Sequence, residues 1–126
     1  MSLNMEQGGD HGDAPGSAWY QVGGCAVVRA GGEIDARTVR GLDAAVAEAT
    51  NLSSHVVIDL AQVTFIDSTG LGALIFARKT GRARGRSMSL VSPPPVVRRL
   101  LGSTHLSDVF AIYDSLDEAV NATPPY

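Results

Sequence analysis

The run Asp67-Ser68-Thr69-Gly70-Leu71-Gly72 lies where an apolar, strand-like stretch hands over to a helix-like one, so a hydroxyl stands at a helix start beside a carboxylate. A helix start carries unpaired backbone N–H groups and the positive end of the macrodipole, which together receive anions such as phosphate. The chemistry suited to this junction is reversible phosphorylation. Taken alone, Ser68 also reads as an ordinary helix cap, and Asp67, like Asp35 earlier in the chain, as a cap or turn residue. Leu71 stands three residues after Ser68, where a capping box would have Glu or Gln, so capping alone accounts for the serine incompletely.

Other chemistries fit less well. A serine nucleophile needs a base and an oriented third group, and no Gly-x-Ser-x-Gly elbow surrounds Ser68. His11, His55 and His105 fall in a tail or in loops, with no motif placing any of them as that base. Gly70-Leu71-Gly72 is not followed by the lysine of a phosphate-binding P-loop. Cys25 is the one cysteine, which excludes an internal disulfide and a zinc site built on several thiolates; it reads as a small buried side chain in a strand. No catalytic residue, cofactor or metal is expected. Arg78, Lys79, Arg82, Arg84 and Arg86 gather where the second helix ends, a place that favours cations, and no aromatic residues interleave with them to stack on bases.

The elements that must position Ser68 follow from periodicity. Trp19 to Val22 and Cys25 to Ala30 are short strand-like runs, and Gly23-Gly24 between them supplies a hairpin turn. After Gly31-Gly32-Glu33-Ile34-Asp35, apolar residues recur at Val39, Leu42, Val46 and Ala49, an amphipathic helix that Asp35 or Thr38 would cap and Asn51 would help to end. Val56-Val57-Ile58-Asp59-Leu60 is nearly continuous in apolar, β-branched residues and reads as a central strand; its Asp59 is expected to bond a neighbouring turn. Phe65 and Ile66 would pack the connection, and Leu71, Leu74 and Ile75 would form the buried side of the next helix, which frays near Gly81 to Gly85. Ser87 to Leu90 alternates as a strand. Pro93-Pro94-Pro95 opens a short helix from Val96 to Leu101 that Gly102 closes. Val109 to Tyr113 reads as the last strand and Ser115 to Val120 as the last helix, with Ser115 and Glu118 as a capping box.

Hairpin first, then helix and strand in alternation, implies an α/β fold: one domain with a mixed sheet, an antiparallel edge and right-handed crossovers. The 126 residues suffice for one such domain, placed at 18–122, with a flexible tail at 1–17 and a short C-terminal tail at 123–126. The chain is 44% hydrophobic and 18% charged, has no apolar run near the roughly 20 residues of a membrane span, and shows no signal-peptide zones at its start. A soluble, cytoplasmic protein without membrane insertion is expected, and the formal net charge of -3 argues against direct nucleic-acid binding.

Gly32-Glu33-Ile34-Asp35, Val57-Ile58-Asp59-Leu60, Phe65-Ile66-Asp67-Ser68-Thr69-Gly70-Leu71 and the Pro-rich entry to Val96-Val97-Arg98-Arg99-Leu100-Leu101 together resemble a STAS domain of the bacterial anti-sigma factor antagonist type. The likeness runs from about Trp19 to Val120 in the order of the elements above. It implies a switch: the unmodified antagonist binds an anti-sigma factor that is also a serine kinase, freeing a sigma factor. Phosphorylation of the serine after Asp ends that binding, and a phosphatase restores it. By position that serine is Ser68, with Thr69 the adjacent hydroxyl. Asp35 matches the acidic residue of the Gly-Glu-x-Asp motif near the phosphorylated loop. With Asp67 and Thr69 it belongs to the implied partner surface, where Gly70, Leu71 and Gly72 match the helix start. The two glycines would either let a partner backbone come close or let the helix pack tightly on the sheet. The alternative implied by the same fold is a non-catalytic accessory subunit of a lipid-transport ATPase.

Overall fold

Gly23 takes a left-handed φ of +59° and turns the chain between strand β1, Ser17–Val22, and strand β2, Cys25–Ile34. The two pair antiparallel from Ser17 opposite Ala30 to Val22 opposite Cys25, the hairpin that the Gly-Gly pair predicts. The computed structural model describes residues 17–122. The tails expected at 1–17 and 123–126 lie outside the described residues, apart from Ser17, the first residue of β1.

Helix α1, Val39–Leu52, leads to strand β3, His55–Ile66, and helix α2, Ser68–Ala83, to strand β4, Ser87–Val91. Helix α3, Pro95–Ser103, and a short 3-10 turn, Leu106–Asp108, precede strand β5, Ala111–Tyr113, and helix α4, Leu116–Ala122, ends the described chain. The sheet order is β1-β2-β3-β4-β5, parallel from β2 onward. When successive parallel strands add in one direction, crossovers of one hand put every connecting helix on the same face. Leu42, Val46 and Ala49 of α1, Leu71 and Leu74 of α2, and Val97 and Leu101 of α3 accordingly share one core with Val28, Ile58, Leu60 and Leu90. The opposite face is smaller: Ala119 of α4 packs on Cys25, Val27, Val57 and Val91, so the thiol sits buried in a strand as expected.

Several local expectations change. β2 runs on through Gly31 and Gly32 to Ile34, since the flexible glycines absorb two register shifts against β3. Phe65 and Ile66 belong to β3 and not to a connection, and Phe65 is 48% exposed. Ile75 is also exposed: α2 seats on Gly70, Leu74 and Gly81, and Ile75 points about 100° round the helix from Leu74. Thr38 stands at the N-cap of α1, but its hydroxyl donates to Glu33 O at 2.6 Å and caps nothing. Asn51 lies within α1 and accepts a hydrogen bond from Arg84 Nη2.

Gly102 does not close α3. The Thr104 hydroxyl donates to Leu100 O, and His105 makes the reversal with a φ of +63°. The last strand shortens to three residues because Val109 and Phe110 donate their amides to Leu106 O. Ser115 Oγ accepts the Glu118 amide as a cap should, while Glu118 reaches the amide of Asp114, one residue before the expected return bond.

Candidate functional site

The site is built on the ends of two neighbouring strands. Ile34 and Ile66 are register partners that finish β2 and β3, and the Asp67 amide donates to Ile34 O at 3.3 Å. Asp35 and Asp67, one residue further along each strand, therefore leave the sheet at the same end, side by side. Asp67 is extended, with φ -111° and ψ -170°, and is the N-cap of α2: its Oδ1 accepts from the amides of Thr69 at 2.9 Å and Gly70 at 3.1 Å. The cap is thus the carboxylate, and Ser68 is the first helical residue. Of the first amides of the helix, Asp67 N, Thr69 N and Gly70 N are engaged, and Ser68 N makes no hydrogen bond among the described residues. The anion site read from the sequence is correspondingly smaller, one amide plus the helix dipole.

Ser68 is exposed, and its hydroxyl has no hydrogen-bond partner among the described residues. Thr69 and Gly72 are exposed beside it, whereas Gly70 and Leu71 are buried in the domain. A Cβ at Gly70 would lie 2.6 Å from Ile66 Cγ1 and 2.8 Å from both Ile34 Cγ2 and Ile34 O, so only a hydrogen lets the helix start seat on the strand ends. A Cβ at Gly72 would meet nothing within 4 Å. Tight helix packing therefore explains Gly70. Only Gly72 of the pair is open to another backbone.

Asp35 is organised by its own turn. Its Oδ1 accepts from the Arg37 amide at 3.0 Å and its Oδ2 from Arg37 Nη2 at 3.3 Å, while the same guanidinium reaches Glu33 at 3.1 Å. Desolvation pushes the Asp35 carboxyl up, but the amide, guanidinium and charge of Arg37, together with Thr38, outweigh it and hold it below the ordinary value. The surround of Ser68 is therefore less acidic than the sequence suggests, since Arg37 offsets Asp35, and Asp67 aims its charge at amides. Asp59 bonds the neighbouring Ala61 amide at 3.0 Å and stands apart from the site.

His55 opens β3 and Ser68 follows its end, roughly 35 Å away at about 3.3 Å per residue. His11 lies outside the described residues. Among the described residues no group of three or more His, Cys, Asp and Glu could hold a metal ion, and no helix is long and apolar enough to cross a membrane. The basic residues from Arg78 to Arg86 lie at the far end of α2 from Ser68. Sequence reading missed the outer face of α2, where Ile75 and the 67%-exposed Phe76 follow Ser68 and Gly72 at helical spacing. A β-branched and an aromatic residue there look like core until packing is known.

The STAS domain family model matches residues 18–119, which takes in both strand ends and the whole of α2. The chain belongs to the STAS domain family. It is 32% identical over 94 residues to an anti-sigma F factor antagonist of Paenibacillus polymyxa, covering 73% of this chain and 80% of that relative. The crystal structure of an anti-sigma factor antagonist from Mycobacterium paratuberculosis superposes with a TM-score of 0.77 at 30% identity, covering 84% of this STAS chain and 91% of the other. The phosphorylated form of the Bacillus cell fate determinant SpoIIAA matches with a TM-score of 0.66 at 19% identity over 83% of this chain and 96% of its own, a likeness of fold. These relatives are regulators by name, and they do not favour the accessory-subunit alternative.

Proposed function

We propose that this STAS domain is an anti-sigma factor antagonist. Its unphosphorylated form binds an anti-sigma factor that is also a serine kinase and so releases a sigma factor. Phosphorylation of Ser68 ends that binding, and a phosphatase resets it. The observation that carries the reading is the exposed, unbonded Ser68 hydroxyl at the first position of α2, directly after its Asp67 cap. A kinase can reach this group without unfolding anything. The outer face of α2, with Gly72, Ile75 and Phe76 in line behind Ser68, supplies apolar area for the docked partner. Asp35 and Thr69 flank the same loop as polar contacts.

Phosphorylation adds a charge of about -1.5 to -2 at a helix start whose dipole accommodates it by on the order of 1 kcal/mol. In the free domain the group stays in water, and the fold tolerates it. Under a partner it is desolvated beside Asp67, with most of the helix-start amides already engaged by that carboxylate. A buried, poorly paired anion costs several kcal/mol, and each 1.4 kcal/mol is tenfold in affinity.

The test is a pull-down from extract of the source organism with wild-type chain, Ser68→Ala and Ser68→Glu, captured proteins being identified by mass spectrometry. Wild type and Ser68→Ala should retain one anti-sigma kinase that Ser68→Glu loses. Incubation of that kinase and ATP with the chain should add one phosphate to wild type and none to Ser68→Ala. Equal capture by all three forms would refute the switch.

A further inference from the structure

Strand β3 outruns its neighbour. β4 pairs with it only from His55 to Asp59, and beyond Asp59 every register partner of β3 lies on β2. The chain leaves β4 at Val91, turns at Ser92 with a φ of +55°, and enters α3 through Pro93, Pro94 and Pro95. The stretch Gln62–Ile66 therefore has a strand on one side only. Its opposite edge makes no backbone hydrogen bond to another element among the described residues.

An open edge is a template for an added strand, and proteins ordinarily blunt one with Lys, Pro or an inward charge. Here the protection stops at Ala61, whose amide is taken by Asp59 Oδ1 at 3.0 Å. The next five residues, Gln62-Val63-Thr64-Phe65-Ile66, carry neither charge nor proline and are rich in strand-forming types. Opposite them lies α3, and the space between is a groove of about 390 Å³ lined by Phe65 and Ile66 on the strand and Val96, Val97, Leu100 and Arg99 on the helix. Phe65 and Val96 are each about half exposed there, at 48% and 52%. A free strand edge on one wall and an apolar helix face on the other is the geometry in which an extended peptide adds a strand: backbone bonds give affinity, and pockets for alternate side chains give specificity.

We infer that the groove between the free edge of β3 and α3 docks an extended segment of the anti-sigma factor that carries apolar side chains and a carboxylate. The inference rests on the antagonist reading above, which supplies the partner. The carboxylate is matched to Arg99, the charged residue of the groove lining, which has no ion pair among the described residues, whereas its neighbour Arg98 holds Asp114 at 3.0 Å. Ile66 on the groove wall ends β3 two residues before Ser68, so a segment docked along this edge ends close to the residue whose charge controls binding.

The chain's own ends fit less well. Helix α4, which leads to residues 123–126, packs on the opposite face with Val120 beside Gly23. Residues 1–16 precede β1, on the far side of β2 from β3, and their Gly, Asp and Pro content suits a strand poorly.

The test uses the anti-sigma factor captured by wild-type chain. Amide hydrogen exchange of the 15N-labelled full chain is measured with and without it, and its affinity is measured for Val96→Asp and Arg99→Glu, both surface changes on α3. The expected result is slowed exchange within Gln62–Ile66 on binding and roughly tenfold weaker affinity for either variant, with thermal midpoints unchanged. A complex that Ser68→Glu still abolishes, but in which neither the exchange nor the variants respond, overturns the docking groove and leaves the switch standing. Failure to find any Ser68-dependent complex removes both. Protection of Gln62–Ile66 in the free chain that disappears when residues 1–16 are deleted, or that grows with protein concentration, assigns the groove to the tail or to a second copy and overturns the proposal.

Discussion

Replacing Gly70 and Gly72 by alanine, one at a time, tests how the Ser68 loop is held. In a helix, alanine is preferred to glycine by up to about 1 kcal/mol, so propensity alone favours both changes. Packing separates them. At Gly70 the new methyl meets Ile66 Cγ1 at 2.6 Å, and Ile34 Cγ2 and O at 2.8 Å, about 1 Å short of ordinary carbon contact. Ile34 and Ile66 are buried and β-branched, so neither side chain has an easy rotamer to move to. The third atom is backbone and already accepts the Asp67 amide. Relief must come from lifting the start of α2 off the sheet, an overpacking cost of about 1–3 kcal/mol that exceeds the propensity gain. At Gly72 the methyl meets nothing within 4 Å, and the gain stands. Gly70→Ala should therefore be destabilised by about 1–2 kcal/mol and Gly72→Ala stabilised by about 0.5–1 kcal/mol. The two should differ by on the order of 10 °C in thermal midpoint for a domain of this size. Urea unfolding followed through Trp19, the sole tryptophan, buried and donating to Glu48 Oε1 at 2.8 Å, reads both. Gly70→Ala equal to or more stable than Gly72→Ala would refute the close-packing account.

Asp67→Ala removes the acceptor of two helix-start amides and should cost about 1–2 kcal/mol in urea unfolding, while Asp67→Asn keeps an acceptor and loses only a few tenths. Asp35 has a folded-state pKa below its ordinary 3.8, so its stabilising contribution is full above that value and is lost as pH falls through the lower one. The stability gap between wild type and Asp35→Asn should accordingly close on acidification below 3.8, and a gap that widens there would contradict the Arg37 contacts. Phe76→Asp should weaken capture of the anti-sigma factor by roughly tenfold or more while moving the thermal midpoint little, because a largely exposed ring contributes little to the fold.

What was legible in the sequence was whatever depends on local pattern. The Gly23-Gly24 hairpin, the apolar run of the central strand, the helix carried by Val39, Leu42, Val46 and Ala49, and the Ser115 cap all follow from spacing, and the structure has them. The loop after Ile66 was legible for the same reason, since a strand pattern there gives way to a helical one. What was not legible depends on partners distant in sequence. The cap passes to Asp67 because Asp67 is extended and tied to Ile34 across the sheet, and Gly70 is required because Ile34 and Ile66 end side by side. Ile75 and Phe76 are core-type residues that stay exposed, Phe76 on the rim of a groove shared with Asp43, Val46, Ala47 and Thr50 of α1. Phe65 looked like packing material and is instead a wall of an open groove, because β4 stops seven register positions before β3 does.

The same arrangement explains how a single phosphate could control binding without reshaping the domain. Ser68 is joined to the sheet on one side through Asp67, whose amide is held by Ile34, and on the other through Gly70, wedged against two isoleucines. Both anchors are made by backbone and buried apolar atoms, none of which the phosphate touches through charge alone. The free domain can therefore take up the modification for about 1 kcal/mol in either direction. Under the proposed switch the complex does not, because its interface would have to remove water from a dianion next to a carboxylate that already occupies the amides of Thr69 and Gly70. A difference of about 3–5 kcal/mol between the two states corresponds to a change of roughly 10²- to 10³-fold or more in affinity. Such a switch requires that the carboxylate hold the helix start in both states. Asp67→Asn, which retains the hydrogen bonds but removes the charge beside Ser68, should then bind the anti-sigma factor normally when unmodified and lose less affinity on phosphorylation than wild type. An unchanged phosphorylation effect in that variant would show that bulk, and not charge, breaks the complex.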